Sequence, residues 1–373
     1  MNWKSPYPPR LTARQMGLTT GILPSGIQND ICDVPGVLVG HATLAHGSGP
    51  LRPGHGPVRT GVTAVVPHGG NLYAEKVPAA AFVLNGFGKC TGLAQVQEMG
   101  MLEAPILLTS TLSAFRAADA LVSVMVEQNP AIGVTTGTVN PVVGECNDGY
   151  LNDIQGRHIG DEHVRAALAA ASAGPVEQGA VGAGTGVVCF GFKGGIGSAS
   201  RSVGGYRLGA LVQANFGRRR DLLIAGVPVG QRLLAYPGEE GPEPEDVPPG
   251  SIMVVLATDA PLDARQLGRL CRRGALGLAR TGASAGNGSG DFVVGFSVAN
   301  RVAHEGHEST VRVELLRDDS QAMDRLFLAA VEAVEEAVLN ALFTARTVEG
   351  RDGHVAHALP VKRILAWTKM RQP

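Results

Sequence analysis

The residue pair Gly250-Ser251 stands at the junction of two unlike segments of the chain. The preceding residues, GPEPEDVPPG (241–250), are rich in proline and acid, which favours extended, solvated backbone. The following residues, SIMVVL (251–256), are apolar and β-branched and predict a buried strand. If the bond before Ser251 were cut, this serine would carry a hydroxyl nucleophile and its own base, the new α-amine. A plain turn entering a strand is the competing interpretation, because Gly and Ser are common turn residues.

Other polar clusters interrupt apolar surroundings in the same way. Ser289-Gly290-Asp291 lies where a glycine-rich loop enters a predicted strand, so a hydroxyl and a carboxylate two residues apart can face one site. The segments GECNDGYLND (144–153) and VQANFG (212–217) bring amides, hydroxyls and carboxylates into loops. Each cluster taken singly is also compatible with turn chemistry.

Several other chemistries find no support in the residue spacing. The 10 histidines form no HExxH motif, and no paired-cysteine motif occurs. His304 and His307 stand beside Glu305 and Glu308 in a polar loop, which predicts solvated histidines rather than a metal site. The sequence GAGTG (182–186) is followed by strand-like residues instead of a helix, which argues against a dinucleotide site.

The elements that must position these clusters alternate between apolar strands and one-sided helices. Together they predict two stacked sheets with helices on their outer faces. The predicted strands are a short pair within 31–44 and single strands at 61–70, 79–88, 105–115, 205–218, 222–230, 252–258, 291–300 and 310–316. The predicted helices cover 91–102, 117–128, a stretch opening near Pro261, and 321–345. Residues 1–28 are predicted to form an extended arm.

Composition limits the class of protein. The 373 residues are 44% apolar and 17% charged with a net charge of −1, so the chain is globular and lacks the basic surface typical of nucleic-acid or anionic-membrane binding. The five cysteines are widely spaced, which predicts buried free thiols in a reducing compartment. Without a signal-like segment or a long apolar run, we expect a soluble cytoplasmic protein.

The polar clusters, read together with their neighbours, resemble one known family. This is the DmpA-type family of L-aminopeptidase/D-Ala-esterase/amidase enzymes and the related β-peptidyl aminopeptidases. A series of glycine-rich blocks in a fixed order is far more specific than any single motif. The blocks that carry the resemblance are DVPGVLVGHATL (33–44), GVTAVVP (61–67), NGFGKCTG (85–92), GECNDGYLND (144–153), GAGTGVVCFGFKGGIGSASR (182–201), VQANFG (212–217), PPGSIMVVLATDAPL (248–262), GNGSGDFVVGFSVAN (286–300) and NALFTA (340–345).

The resemblance implies a fold and a processing event. The fold would be an α/β (α+β) single domain over 1–373, a four-layer αββα sandwich similar to Ntn hydrolases in layout but with its own connectivity. The precursor would cut itself between Gly250 and Ser251, giving a large subunit, 1–250, and a small subunit, 251–373. Neither a cofactor nor a metal is implied, and the processed units are expected to associate with one another.

The resemblance also implies roles for individual residues. Ser251 would be the nucleophile, supported by Ser289 and Asp291. Asn215 and Tyr150 would stabilise the oxyanion, and Glu145 would hold the free amine of a short peptide, amide or ester substrate. Lys89 is a departure, since an acidic residue is expected at its place in many relatives, and it makes the charge of the local pocket a point to test.

Alternative functions differ in substrate or in class. One is a hydrolase of ω-amino-acid oligoamides, similar to the nylon-oligomer hydrolases of the same superfamily. Another is an acyl transferase that resembles ornithine acetyltransferase, although that group processes before Thr and this chain has Ser251. The last is an uncleaved scaffold, which is disfavoured because all the expected site residues occur together.

Overall fold

The computed structural model describes residues 10–238, 241, 243, 250–306 and 308–369. The strands are β1 (Leu38–His46), β2 (Val58–Val66), β3 (Glu75–Gly86), β4 (Met101–Leu102), β5 (Ile106–Ser110), β6 (Val142–Cys146), β7 (Val188–Cys189), β8 (Phe192–Lys193), β9 (Gly195–Val203), β10 (Tyr206–Asn215), β11 (Ser251–Thr258), β12 (Gly290–Ser297), β13 (Val302–Ala303), β14 (Val348–Glu349) and β15 (Val355–Ala356). The helices are α1 (Leu93–Met99), α2 (Ala114–Gln128), α3 (Asp161–Ala169), α4 (Val229–Ala235), α5 (Ala264–Arg280), α6 (Gln321–Thr344) and α7 (Val361–Lys369).

Two sheets form the centre of the molecule. The smaller sheet has the strand order β1-β2-β5-β6, and the larger has the order β13-β3-β12-β11-β10-β9, with β4 added to β3. Apolar side chains from both sheets meet in one buried layer. This layer includes Val39, Val65, Ile106, Leu108 and Val142 of the smaller sheet and Leu211, Met253, Val255 and Val294 of the larger. Burial of such side chains is the main driving force that holds two sheets face to face.

Helices cover the outer face of each sheet. Helices α2 and α3 pack on the smaller sheet, and α5 and α6 pack on the larger. Asp263 and Gln266 form a capping box at the start of α5, so this helix begins at Ala264 and not near Pro261 as predicted. The layers therefore run helix, sheet, sheet, helix, which confirms the predicted αββα sandwich.

The pairing of the larger sheet gathers strand ends at one edge. β11 runs antiparallel to β10, which places Ser251 opposite Asn215. β11 runs parallel to β12, which places Ser251 opposite Gly290. Because Ser251 begins its strand and Asn215 ends its own, three loops converge on this one edge.

The amino-terminal arm is attached to α6 through buried charges. The Arg201 guanidinium, fully buried in β9, contacts Glu332 at 2.9 Å and Glu336 at 2.8 Å. Glu336 also binds Arg14 of the arm at 2.7 Å, and Glu332 accepts the backbone N–H groups of Ile22 and Leu23. Every carboxylate here has a partner, which offsets the cost of burying it.

Three predicted strands differ from the structure. Within 31–44, Asp30 accepts the N–H of Cys32 at 2.8 Å and caps a 3₁₀ turn, so only the strand at Leu38–His46 forms. The segment 222–230 contains a reversal at Ala225 and Gly226, both with positive φ, and then enters α4. The segment 310–316 has no strand pairing among the described residues, although its sequence alternates.

The remaining strand and helix predictions are confirmed within a few residues at their ends, except that the strand predicted at 105–115 ends at Ser110 and α2 already begins at Ala114. All five cysteines are free thiols, four of them buried, as the sequence predicts. Of the Pro- and acid-rich segment 241–250, the structure describes only Gly241, Glu243 and Gly250. In the part of the chain that the structure describes, no helix is both long and apolar enough to cross a membrane.

Candidate active site

Ser251 is a buried serine at the head of a central strand. Its side chain is enclosed, with the residue 5% exposed. The backbone N–H of Gly290 lies 3.4 Å from Ser251 Oγ and 3.3 Å from the Gly250 carbonyl oxygen. One N–H thus points toward both the hydroxyl and the carbonyl that precedes it, so the predicted nucleophile and the predicted scissile bond share a donor.

Gly250 is a glycine for a steric reason. A Cβ at this position would lie 2.7 Å from Phe216 Cα and 2.8 Å from the Asn215 carbonyl oxygen. Real Cβ atoms do not approach backbone that closely, so only glycine fits between β11 and the end of β10.

Asn215 presents an amide N–H₂ that is unused. Its Oδ1 accepts the N–H of Val188 at 2.8 Å, whereas its Nδ2 is buried without a hydrogen-bond partner in the described structure. A buried donor without a partner costs free energy, and such groups concentrate at functional sites. Since Asn215 pairs with Ser251 across the strands, this donor lies beside the serine.

Ser289 and Asp291 are joined directly. The Ser289 hydroxyl donates to Asp291 Oδ1 at 2.5 Å, and both residues are buried. Burial raises the pKa of Asp291, while the Ser289 hydroxyl and the Ile252 N–H favour the ionised form. Asn85, which sequence reasoning did not single out, donates from Nδ2 to the carbonyls of Gly286 and Ser289 and so fixes the glycine loop.

Glu145 lies on the neighbouring β6 of the smaller sheet. Its carboxylate is 3% exposed and accepts the Lys89 backbone N–H at 2.8 Å and the Thr111 hydroxyl. Gly88 lies between this carboxylate and the start of β12, because a Cβ on Gly88 would lie 3.3 Å from Glu145 Oε1 and a Cβ on Gly290 would lie 2.8 Å from Gly88 Cα. Thr111 was another residue that the sequence did not indicate, since it simply follows a buried strand.

Cys146 shows how closely the carboxylates are grouped. Burial raises the pKa of this thiol, and the negative charges of Glu145, Asp291 and Asp148 raise it further. The carboxylates of Glu145, Asp291 and Asp148 therefore all lie within electrostatic range of one buried thiol.

Lys89 and Tyr150 lie at the edge of the candidate active site. The Lys89 side chain is exposed, with its ammonium 5.0 Å from the Phe87 ring centroid, so only its backbone contacts Glu145. Tyr150 stacks on His354 at 4.5 Å and packs in a small apolar cluster with Val188. That cluster places Tyr150 next to Val188, whose N–H bonds Asn215 Oδ1.

An open cleft of about 1380 Å³ leads to this edge of the sheet. Its walls include Asn215, Phe216, Gly250 and Asp291, with Leu276 of α5 and the exposed Arg218 toward its outer part. A cleft of this size admits a short peptide or another small molecule. Within the described residues, no group of three or more His, Cys, Asp or Glu side chains is arranged to hold a metal ion. His304 is half-buried against Tyr73 and Thr136 rather than solvated, and His307 lies outside the described residues.

The four-layer fold and a serine at the head of a central strand define a variant of the Ntn-hydrolase class. Residues 29–356 match the model of peptidase family S58, and the chain belongs to that family. The beta-peptidyl aminopeptidase BapA of Sphingosinicella microcystinivorans is 41% identical, with 96% of this chain and 91% of that protein covered.

Solved structures agree with this assignment. The PH0078 protein from Pyrococcus horikoshii OT3 superposes with a TM-score of 0.90 at 52% identity, covering 96% of this chain and 99% of that one. The L-aminopeptidase D-Ala-esterase/amidase from Ochrobactrum anthropi, described as a prototype of the serine aminopeptidases and a new variant among the Ntn hydrolase fold, superposes with a TM-score of 0.87 at 39% identity over 97% of this chain and 99% of that one. This chain is accordingly a hydrolase, a serine aminopeptidase.

Proposed function

We propose that the chain is a self-processing precursor that cuts the Gly250–Ser251 bond, giving subunits 1–250 and 251–373. The observation that carries this proposal is the Gly290 N–H, which lies 3.3 Å from the Gly250 carbonyl oxygen and 3.4 Å from Ser251 Oγ. A donor aimed at the scissile carbonyl stabilises the negative charge that forms there when the hydroxyl attacks.

The processing reaction needs only the chain and water. Ser251 Oγ attacks the Gly250 carbonyl carbon, the bond from that carbon to the Ser251 nitrogen breaks, and an ester between the two residues forms. The hydroxyl proton ends on the released amine. Water then hydrolyses the ester, leaving a carboxylate on Gly250 and a free α-amine and hydroxyl on Ser251.

The mature serine would act as nucleophile and base together. An α-amine has an ordinary pKa of about 7.7–8.0, so part of it is neutral at pH 7 and can accept the hydroxyl proton. Ser251 would form an acyl-enzyme, the leaving amine would take the proton, and water would complete the hydrolysis. Asn215 Nδ2 and Tyr150 are the proposed oxyanion donors, and the bonded pair of Ser289 and Asp291 would orient the serine.

The proposed substrates are short peptides, amides or esters with a free amino end. Glu145 supports this, because a 3% exposed carboxylate next to Gly88, near the start of β12, can pair with a substrate ammonium and disfavour blocked peptides. The relatives named above as a β-peptidyl aminopeptidase and as an L-aminopeptidase D-Ala-esterase/amidase support the same class. We further propose that the processed units associate with one another and that the five free thiols suit a reducing, cytoplasmic setting.

Intact-mass measurement under denaturing conditions tests the processing. The wild-type protein should give two fragments, one beginning Ser-Ile-Met, whereas Ser251→Ala should remain one chain. Ser297→Ala is the matched control, because Ser297 is a buried serine at the other end of β12 that bonds the Ala260 carbonyl. An active wild-type protein that remains uncut would refute the proposal.

Substrate class is tested separately on processed enzyme. Ala-p-nitroanilide should be hydrolysed and its N-acetyl derivative should not, because only the former offers an ammonium to Glu145. Faster hydrolysis of a 6-aminohexanoate oligomer than of Ala-p-nitroanilide would instead favour the oligoamide alternative.

A further inference from the structure

Lys193 is a fully buried cation that the proposed reaction does not use. Its ammonium donates to three backbone carbonyls, those of Gly184 at 2.8 Å, Val187 at 2.9 Å and Gly194 at 2.9 Å. Three convergent acceptors match the three donors of an ammonium group. The lysine thus ties the two ends of the segment 184–194 together around one point.

The segment that Lys193 ties together holds the end of β10 in place. The Val188 N–H donates to Asn215 Oδ1 at 2.8 Å, and the Phe190 N–H donates to the Phe216 carbonyl at 2.7 Å. The Val187 carbonyl that receives the lysine belongs to the same peptide unit as the Val188 N–H. The position of the lysine is therefore coupled to Asn215 through one rigid peptide plane.

The orientation of the Asn215 amide depends on that contact. The oxygen and nitrogen of an asparagine amide are nearly equal in shape, so the surroundings decide which one faces a site. The Val188 N–H can bond only the oxygen, which leaves Nδ2 as the group without a partner. A shift of the 187–188 peptide would remove the reason for this orientation.

We propose that Lys193 is a positioning residue for hydrolysis, fixing the Val187–Val188 peptide so that Asn215 presents its amide donor to the oxyanion formed at Ser251. This inference rests on the proposed function. Burial lowers the pKa of Lys193 to about 7, so a cation is costly here. A neutral residue of the same length would avoid that cost, but it could not bond three carbonyls at once.

The test uses Lys193→Met, which keeps the length and removes every donor, and Lys193→Gln, which keeps two donors. On a free-amine substrate, and with rates normalised to the processed fraction measured by mass, Lys193→Met should lower kcat by about 10–100-fold. KM should change less than about twofold, since the amine site at Glu145 is untouched. Lys193→Gln should recover part of kcat.

A double-mutant cycle separates positioning from general stability. In an Asn215→Ala background, Lys193→Met should lower kcat by less than about twofold, because the donor it orients is already gone. Lys76→Met is the matched control. Lys76 is a part-buried lysine at the start of β3, and it pairs with Glu103 at 2.5 Å. Its loss should reduce stability without changing kcat.

Several outcomes overturn the proposal. A Lys193→Met enzyme with the kcat of wild type would refute the proposal. The same is true if Lys193→Met lowers kcat equally in the wild-type and the Asn215→Ala backgrounds. Failure of both Lys193 variants to fold assigns the residue to general stability and also overturns it. None of these outcomes affects the proposed function, whose own failure would appear as an active, uncut wild-type protein.

Discussion

Replacing Asn215 by alanine removes both polar atoms of its amide, and the loss of each atom has a different expected effect. The substitution removes the Nδ2 donor beside Ser251 and also leaves the Val188 N–H without its acceptor. Loss of one oxyanion donor costs about 2.7–4 kcal/mol in the transition state, or about 10²–10³ in kcat. Loss of an acceptor for a buried N–H costs about 1–3 kcal/mol of folding free energy.

The two losses are measured on different samples. Folding free energy is obtained from urea unfolding in a Ser251→Ala background, where every molecule is one uncut chain. Activity is obtained as kcat per processed molecule, with the processed fraction counted by mass, because the substitution is expected to slow processing as well. KM should change little, because the donor acts on charge that develops only in the transition state.

Asn340→Ala is the matched control for Asn215→Ala. Asn340 is also a buried asparagine, but its Oδ1 accepts the Ala13 N–H and its Nδ2 donates to the Ser198 carbonyl. Both of its amide atoms are used for structure, so its loss should reduce stability and leave kcat per processed molecule unchanged. An Asn215→Ala enzyme with kcat within about threefold of wild type would refute the oxyanion role.

Three further predictions follow from charged residues. Glu145→Gln should raise KM for free-amine substrates at least about tenfold and affect kcat less, because it removes the partner of a desolvated ammonium. Steady-state kinetics measure both constants, and an unchanged KM would contradict the amine-binding role of Glu145. Arg201→Ala should cost about 3–5 kcal/mol in urea unfolding because it leaves Glu332 and Glu336 buried without their shared cation. The exposed Arg165→Ala should change the unfolding free energy far less, because solvent screens its ion pairs. Burial raises the pKa of Asp148 to about 6, above its unfolded value of about 3.9. Its contribution to the free energy of unfolding should therefore fall by up to roughly 3 kcal/mol as the pH rises from the unfolded to the folded pKa. Asp148→Asn should flatten this part of the stability–pH curve, and an unchanged slope would contradict the raised pKa of Asp148.

Local pattern predicted the elements well wherever burial acts on a whole segment. The run from Ile252 to Leu256 is buried on both faces, and it appears in the sequence as an unbroken apolar stretch. Predictions from the sequence pattern were wrong where a few backbone contacts decide the structure. In 222–230 the left-handed residues Ala225 and Gly226 fold the chain back, so that Ile224 and Val227 bond each other instead of a sheet.

The strand prediction for 310–316 was wrong for a different reason. Its alternation of apolar and charged residues suits a strand, but a strand also needs a neighbour with free backbone groups. Here Leu316 bonds the Pro261 carbonyl and Asn300 bonds the Glu314 carbonyl, while Val311 and Val313 remain exposed. A single sequence carries no record of whether such a neighbour exists.

The site shows the same division. Ser251, Ser289, Asp291, Asn215 and Glu145 were named from sequence blocks. The structure brings the first four to one edge of the larger sheet and places Glu145 on the smaller sheet. The supporting contacts from Asn85, Thr111 and the Val188 N–H were not predicted, because each joins segments far apart in the chain.

The sequence alone determined most of the central strands and the helices α1, α2, α5 and α6, the absence of a cysteine framework and the abrupt change at Gly250-Ser251, because these depend on residue type and local spacing. Tertiary structure alone decided that the Gly290 N–H reaches both the Gly250 carbonyl and Ser251 Oγ, and that the Val188 N–H occupies the Asn215 oxygen and leaves the amide nitrogen without a partner. Those relations arise from strand register and from a buried lysine that fixes one peptide plane, and register is set only when the sheets pack.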